Sequence, residues 1–216
     1  TFVQKVVLTA YADTSSAVAL GFATVLAWFM LEAQARGEDG AARRFSWQVG
    51  LALVLVVNLK QSTLVLFVVL AFAVILIGLR DPKIRIGDLV RLLPGLLLPP
   101  LVIYAVWRYH VATELTGREF SIRPMSAWAF DILPQILKAM GYVALKKSLY
   151  FGIMVIAAVT GILALLRMRT SFDRLALLAG TLFGGYNAFL LFAYLAAFSG
   201  REAERAASYW RYNMHL

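Results

Sequence analysis

Three groups of polar residues interrupt an otherwise apolar chain, and each holds atoms that can do chemistry. Asp13 stands in the string AYADTSS at the lip of an apolar run. A carboxylate there must be capped, paired or wetted, because a charge at the centre of a membrane helix costs about 2.5 to 3.5 kcal/mol. The structural account is an N-cap, with the carboxylate accepting from first-turn amides. Lys60 and Gln61 form the second group, after NL and before an apolar stretch. Either the lysine snorkels to the interface, or cation and amide together bind a phosphate or sugar hydroxyls. The third group is the tail FSGREAERAASYWRY. Helical spacing predicts Arg201, Arg205 and Tyr209 along one stripe, with Glu204, Ser208, Arg211 and Tyr212 along another. Such a tail is either a salt-bridged helix beside the membrane with an aromatic anchor, or a site for anionic lipid or glycan. In the second case arginines take phosphate and Tyr209 and Tyr212 offer faces to a sugar.

Other chemistries find no template. The chain has no cysteine, so disulfides, zinc thiolates and cysteine nucleophiles are excluded. His110 and His215 are too few and too isolated in sequence to suggest a metal centre. No P-loop, Rossmann glycine string, GxSxG or HExxH occurs, and no cofactor is implied.

The elements that must position these groups are membrane helices. Of 216 residues 61% are hydrophobic and only 15% charged, and the mean hydropathy is +0.75. That balance excludes an ordinary soluble domain. A bilayer core of about 30 Å asks for roughly 20 apolar residues per helix, and six runs approach this: 14–31, 45–59, 62–79, 92–107, 149–166 and 175–198. The expected fold class is therefore an all-α, polytopic transmembrane bundle of about six helices forming a single domain over 1–216. The second and third runs are separated only around Lys60 and Gln61, as a tight hairpin or one broken helix. Pro94, Pro99 and Pro100 predict a kink in the fourth. Residues 110–148 carry scattered aromatics and predict one or two interfacial helices between the fourth and fifth runs. The GGY string at Gly184 to Tyr186 predicts a break in the sixth.

The formal charge of +9 sits in short clusters between apolar runs, which fits membrane topology and not nucleic acid. Arg36, Arg43 and Arg44, then Arg80, Lys83, Arg85 and Arg91, then Arg167, Arg169 and Arg174 fall on one side of six alternating crossings. The positive-inside rule makes loops 32–45, 80–91 and 167–174 cytoplasmic, in a multi-pass protein of a bacterial inner membrane or its equivalent. Asp13, Lys60 and the tail then share the outer face.

With AYADTSS, an apolar helix, a basic loop and a second helix ending in NLKQST, the first third of the chain resembles the polytopic GT-C glycosyltransferases. It is most similar to the lumenal α-1,2-glucosyltransferases of the N-glycan pathway, which show a YTDT-like string and then a polar tip of the form RQTN. Asp13 and Thr14 match the first motif; Lys60, Gln61 and Thr63 stand where the second falls. The resemblance implies a polyprenyl-phosphate sugar donor, a glycan acceptor and an active site on the outer or lumenal face. It further implies Asp13 or Glu202 as the base for the acceptor hydroxyl, and Lys60, Arg201, Arg205 and Arg211 as phosphate ligands. Gln61, Tyr209 and Tyr212 join them as substrate-binding candidates. The family's usual acidic residue lies in an outer loop near the N-terminus, and none precedes Asp13. A fragment of a longer protein is therefore expected. The competing expectation is a non-enzymatic membrane subunit that contacts lipid and other subunits, either a structural component of a larger complex or part of a transporter.

Overall fold

A computed structural model describes residues 13–59, 63–114 and 122–216. All regular structure among them is helical, as the apolar runs require. These residues gather into two compact units, one within residues 13–104 and 214–216, the other within residues 105–213.

In the first unit α1 (Asp13–Ala35) and α2 (Asp39–Leu59) pack along their lengths. Gly37, at φ 75°, makes the reversal between them: Glu38 N–H donates to the Ala33 carbonyl at 2.9 Å and Gly37 N–H to that of Gln34 at 3.0 Å. A left-handed glycine after the last turn is the usual way to satisfy those carbonyls. The two helices are thus antiparallel, and Leu59 lies at the end where Asp13 begins. Buried Thr63 then donates its hydroxyl to the Val56 carbonyl, tying α2 to the start of α3 (Leu64–Arg80). A tight turn follows, in which Asp81 accepts from Lys83 N–H at 2.9 Å, and α4 (Ile86–Glu114) begins.

The three prolines lie inside α4, which continues through them. Pro99 lacks the N–H that would meet the Gly95 carbonyl four residues back. That same oxygen is the atom a Cβ on Gly50 would strike, and Gly95 in turn lies against Ser46. Glycine on both helices lets α2 and α4 approach with the freed carbonyl against a Cα–H. The rising pairs 46 with 95 and 50 with 99 make α2 and α4 parallel, so the first four helices alternate in direction. Accordingly a cavity of about 410 Å³ is lined by residues from both of the first two basic loops, Arg43 and Arg91 among them.

The second unit holds two 3₁₀ turns (Met125–Ala127 and Phe130–Ile132), α5 (Leu133–Lys146), α6 (Ser148–Arg167) and α7 (Ser171–Ala196). α5 buries only Ile136 and exposes Leu137, Tyr142 and Leu145 beside Lys138 and Lys146. Thr170 and Asp173 close a reciprocal box at the start of α7: Asp173 Oδ2 accepts from Thr170 N–H at 2.8 Å, and Thr170 Oγ1 from Asp173 N–H at 3.2 Å. Gly161 and Gly180 face each other across α6 and α7; a Cβ on either would sit 2.9 or 2.8 Å from a carbonyl of the other helix. The expected break at Gly184 to Tyr186 is absent, because α7 runs unbroken through it. A helix-interior glycine costs only about 1 kcal/mol relative to alanine, which the packing around fully buried Tyr186 outweighs.

Helices α1, α4, α6 and α7 are each long and apolar enough to cross a bilayer. On α6, Ile153, Ile156, Ile162 and Leu166 are all more than half exposed. A ridge of that kind belongs in lipid, since water-soluble surfaces rarely expose so much contiguous apolar area, and the protein is membrane-associated through these helices.

Candidate functional site

Asp13 opens α1 and is 5% exposed. Its Oδ1 lies 2.7 Å from Nε2 of His215, which is fully buried and belongs to the same compact unit. The capping role expected of Asp13 therefore does not describe this oxygen. A carboxylate on an imidazole nitrogen selects the tautomer: with Nε2–H donated to Asp13, a neutral ring keeps its lone pair at Nδ1. The pair thus joins a carboxylate and an imidazole in surroundings that exclude water. His215 was discounted above as an isolated histidine. Nothing in the sequence links it to a residue 202 positions away, and only the fold brings the two together.

Lys60 and Gln61 lie outside the described residues. Thr63, the remaining matched residue of that string, is spent on the Val56 carbonyl.

The tail departs from the expected single helix. It forms α8 (Gly200–Glu204) and α9 (Tyr209–Asn213), separated at Ala206 and Ser208, whose φ angles are 45° and 61°. The predicted stripes are therefore broken: Arg201 and Arg205 are exposed, whereas Tyr209 is turned inward. Glu202 serves as a capping group, accepting from Ser199 Oγ at 2.7 Å and Ser199 N–H at 3.3 Å. Tyr209 donates its hydroxyl to Asn187 Oδ1 at 2.6 Å, and its ring stacks on Phe151 with centroids 5.7 Å apart. Burial pushes the Tyr209 phenol up to about 12, against the lowering pull of Asn213, so it remains a donor at physiological pH. Asn187 also donates to Asn213 Oδ1 at 3.0 Å, and Tyr150 donates to the Asn213 carbonyl at 2.7 Å. Arg211 lies 5.5 Å over the half-buried Tyr212 ring.

Arg123 holds the other side of this cluster. Its guanidinium donates to the carbonyls of Leu195 at 3.1 Å and Phe198 at 2.7 Å, the last turn of α7 and the residues beyond it. Trp128 donates Nε1–H to the Arg123 carbonyl at 2.9 Å and sets its ring edge-on to Phe192. Asn187, Asn213 and Arg123 had no distinguishing signal in the sequence. Of the tail candidates, Arg201 and Arg205 are exposed, while Tyr209 is part of the packing.

No protein-family model matches the sequence, and comparisons with curated proteins and with solved structures find no match.

Proposed function

We propose that the chain is a membrane transferase of the GT-C kind that moves a sugar from a polyprenyl-phosphate donor to an acceptor hydroxyl. The observation that carries this reading is the buried contact between Asp13 and His215, formed at the first of the two motifs on which the resemblance rests. In this mechanism the acceptor oxygen attacks the anomeric carbon while its proton passes to the pair of Asp13 and His215. The bond from anomeric carbon to phosphate oxygen breaks, and the phosphate leaves with the electron pair. Asp13 holds the imidazole and stabilises the imidazolium as it forms. Lys60, in the string that matches the second motif of the resemblance, is the cation assigned to the departing phosphate. Arg201 and Arg205 are assigned to anionic groups at the surface of the second unit. The protein is multi-pass, with the basic loops 32–45, 80–91 and 167–174 cytoplasmic and the Asp13 end facing outward.

The test is transfer of labelled sugar from a polyprenyl-phosphate donor by the full-length protein in liposomes. Asp13→Asn, His215→Gln and Lys60→Ala are compared with wild type, each with circular dichroism to confirm folding. Loss of a general base removes roughly 10²- to 10⁴-fold. Unchanged transfer by folded Asp13→Asn and His215→Gln overturns the assignment. The rival, a non-enzymatic subunit, draws on the apolar ridge of α6; a stable co-purifying membrane partner together with absent transfer would favour it.

A further inference from the structure

The cavity at the opposite end of the first unit has a distinct chemistry. Its walls come from the end of α1 and the first two turns of α2 and α4: Gln34, Asp39, Arg43, Asp88 and Arg91 around Leu92. Two side-chain pairs form in these walls, the first part-buried and the second exposed. Gln34 is buried and donates Nε2–H to Asp39 Oδ1 at 3.1 Å, fixing that carboxylate. Arg91 donates to Asp88 Oδ1 at 3.2 Å. Among the described residues no side chain engages the guanidinium of Arg43. The formal charge of the lining is zero, two arginines against two aspartates. Such a site gives a free anion no net attraction, because each carboxylate offsets a guanidinium at similar range. It does suit a ligand that carries both signs a few ångströms apart. Its depth is also defined, since α4 turns apolar immediately beyond it at Leu92 and α2 within a further turn, from Val49. That is headgroup depth for a membrane helix.

The geometry points to a binding site for a phosphoethanolamine headgroup, its phosphate on Arg43 and Arg91 and its ammonium on Asp39 and Asp88. A primary ammonium offers three donors to the two carboxylates, whereas a trimethylated choline offers none. Discrimination between ethanolamine and choline lipids therefore follows from the acids, and discrimination against purely anionic lipids from the neutral balance. This site is independent of the transferase reading and lies at the other end of the unit from Asp13 and His215.

The experiment is native mass spectrometry of the full-length protein released from nanodiscs of matched acyl chains, containing phosphatidylethanolamine, phosphatidylcholine or phosphatidylglycerol. Expected is retention of phosphatidylethanolamine about three- to tenfold above the other two, the size of one typical net hydrogen bond. Asp88→Asn should remove the preference over choline, and Arg43→Gln should lower retention of phosphatidylethanolamine. Soluble phosphoethanolamine added as competitor separates the sources: displacement of the lipid identifies the headgroup alone as ligand, and its failure identifies the intact lipid, both within the same chemistry. Equal retention of choline and ethanolamine lipids, stronger retention of phosphatidylglycerol, or retention unchanged in both variants overturns the proposal.

Discussion

Replacing Asp13 and His215 by alanine, singly and together, measures how strongly the two ends of the chain are coupled. Their 2.7 Å separation is within the range of charge-assisted hydrogen bonds. With exposures of 5% and 0%, little solvent is present to screen them. Two magnitudes compete. Interhelical hydrogen bonds in membranes average about 0.6 kcal/mol, because the unfolded chain in lipid finds other partners. Hydrogen bonds to charged groups referred to water contribute about 1.5 to 3 kcal/mol. The second applies here, since His215 follows a polar tail that is rehydrated when undocked. At 1.4 kcal/mol per decade, a coupling of that size is roughly a ten- to hundredfold change in the unfolding equilibrium. Each single variant strands one partner in a dry site and should lose about 3 kcal/mol or more. The double variant should lose clearly less than the sum. The assay is denaturant unfolding in detergent micelles followed by tryptophan fluorescence, with the pairwise term taken from the cycle. Additivity within about 0.5 kcal/mol would refute the reasoning that this pair is dry, charged and directly bonded.

Gly161→Val and Gly180→Val should each destabilise by about 1 to 3 kcal/mol, because their Cβ atoms meet carbonyls of the facing helix; Gly184→Ala, with open space around it, should be neutral or stabilising in the same thermal denaturation series. Gly50→Ala should cost at least as much as the Gly161 change, since the obstacle is the Gly95 carbonyl itself. Asn187→Leu removes the acceptor of Tyr209 and the donor to Asn213, and should loosen the tail by about 1 to 3 kcal/mol, read as faster tryptic cleavage at Arg205 and Arg211. Arg123→Lys keeps the charge but not the fork onto two carbonyls, so hydrogen exchange at 195–198 should accelerate despite the unchanged charge.

The amino-acid order alone determined the helices. Each of the six apolar runs coincides over most of its length with a helix, because each must satisfy its backbone internally wherever water is absent, and hydrophobic length carries that information locally. The meeting of the first two basic loops at one end of the first unit was also legible, since short connections force alternation. What only the tertiary structure decided is where polar side chains go. The tail has the composition of one amphipathic helix, yet the chain accepts left-handed backbone at Ala206 and Ser208 and turns Tyr209 onto Asn187 and Phe151. Local propensity differs by tenths of a kilocalorie per residue, and burying an aromatic ring with its hydroxyl satisfied outweighs it. Asp13 was conspicuous as a charge at the edge of an apolar run; its partner was not, because a contact across 202 positions depends on how the intervening helices pack and leaves no periodicity to read.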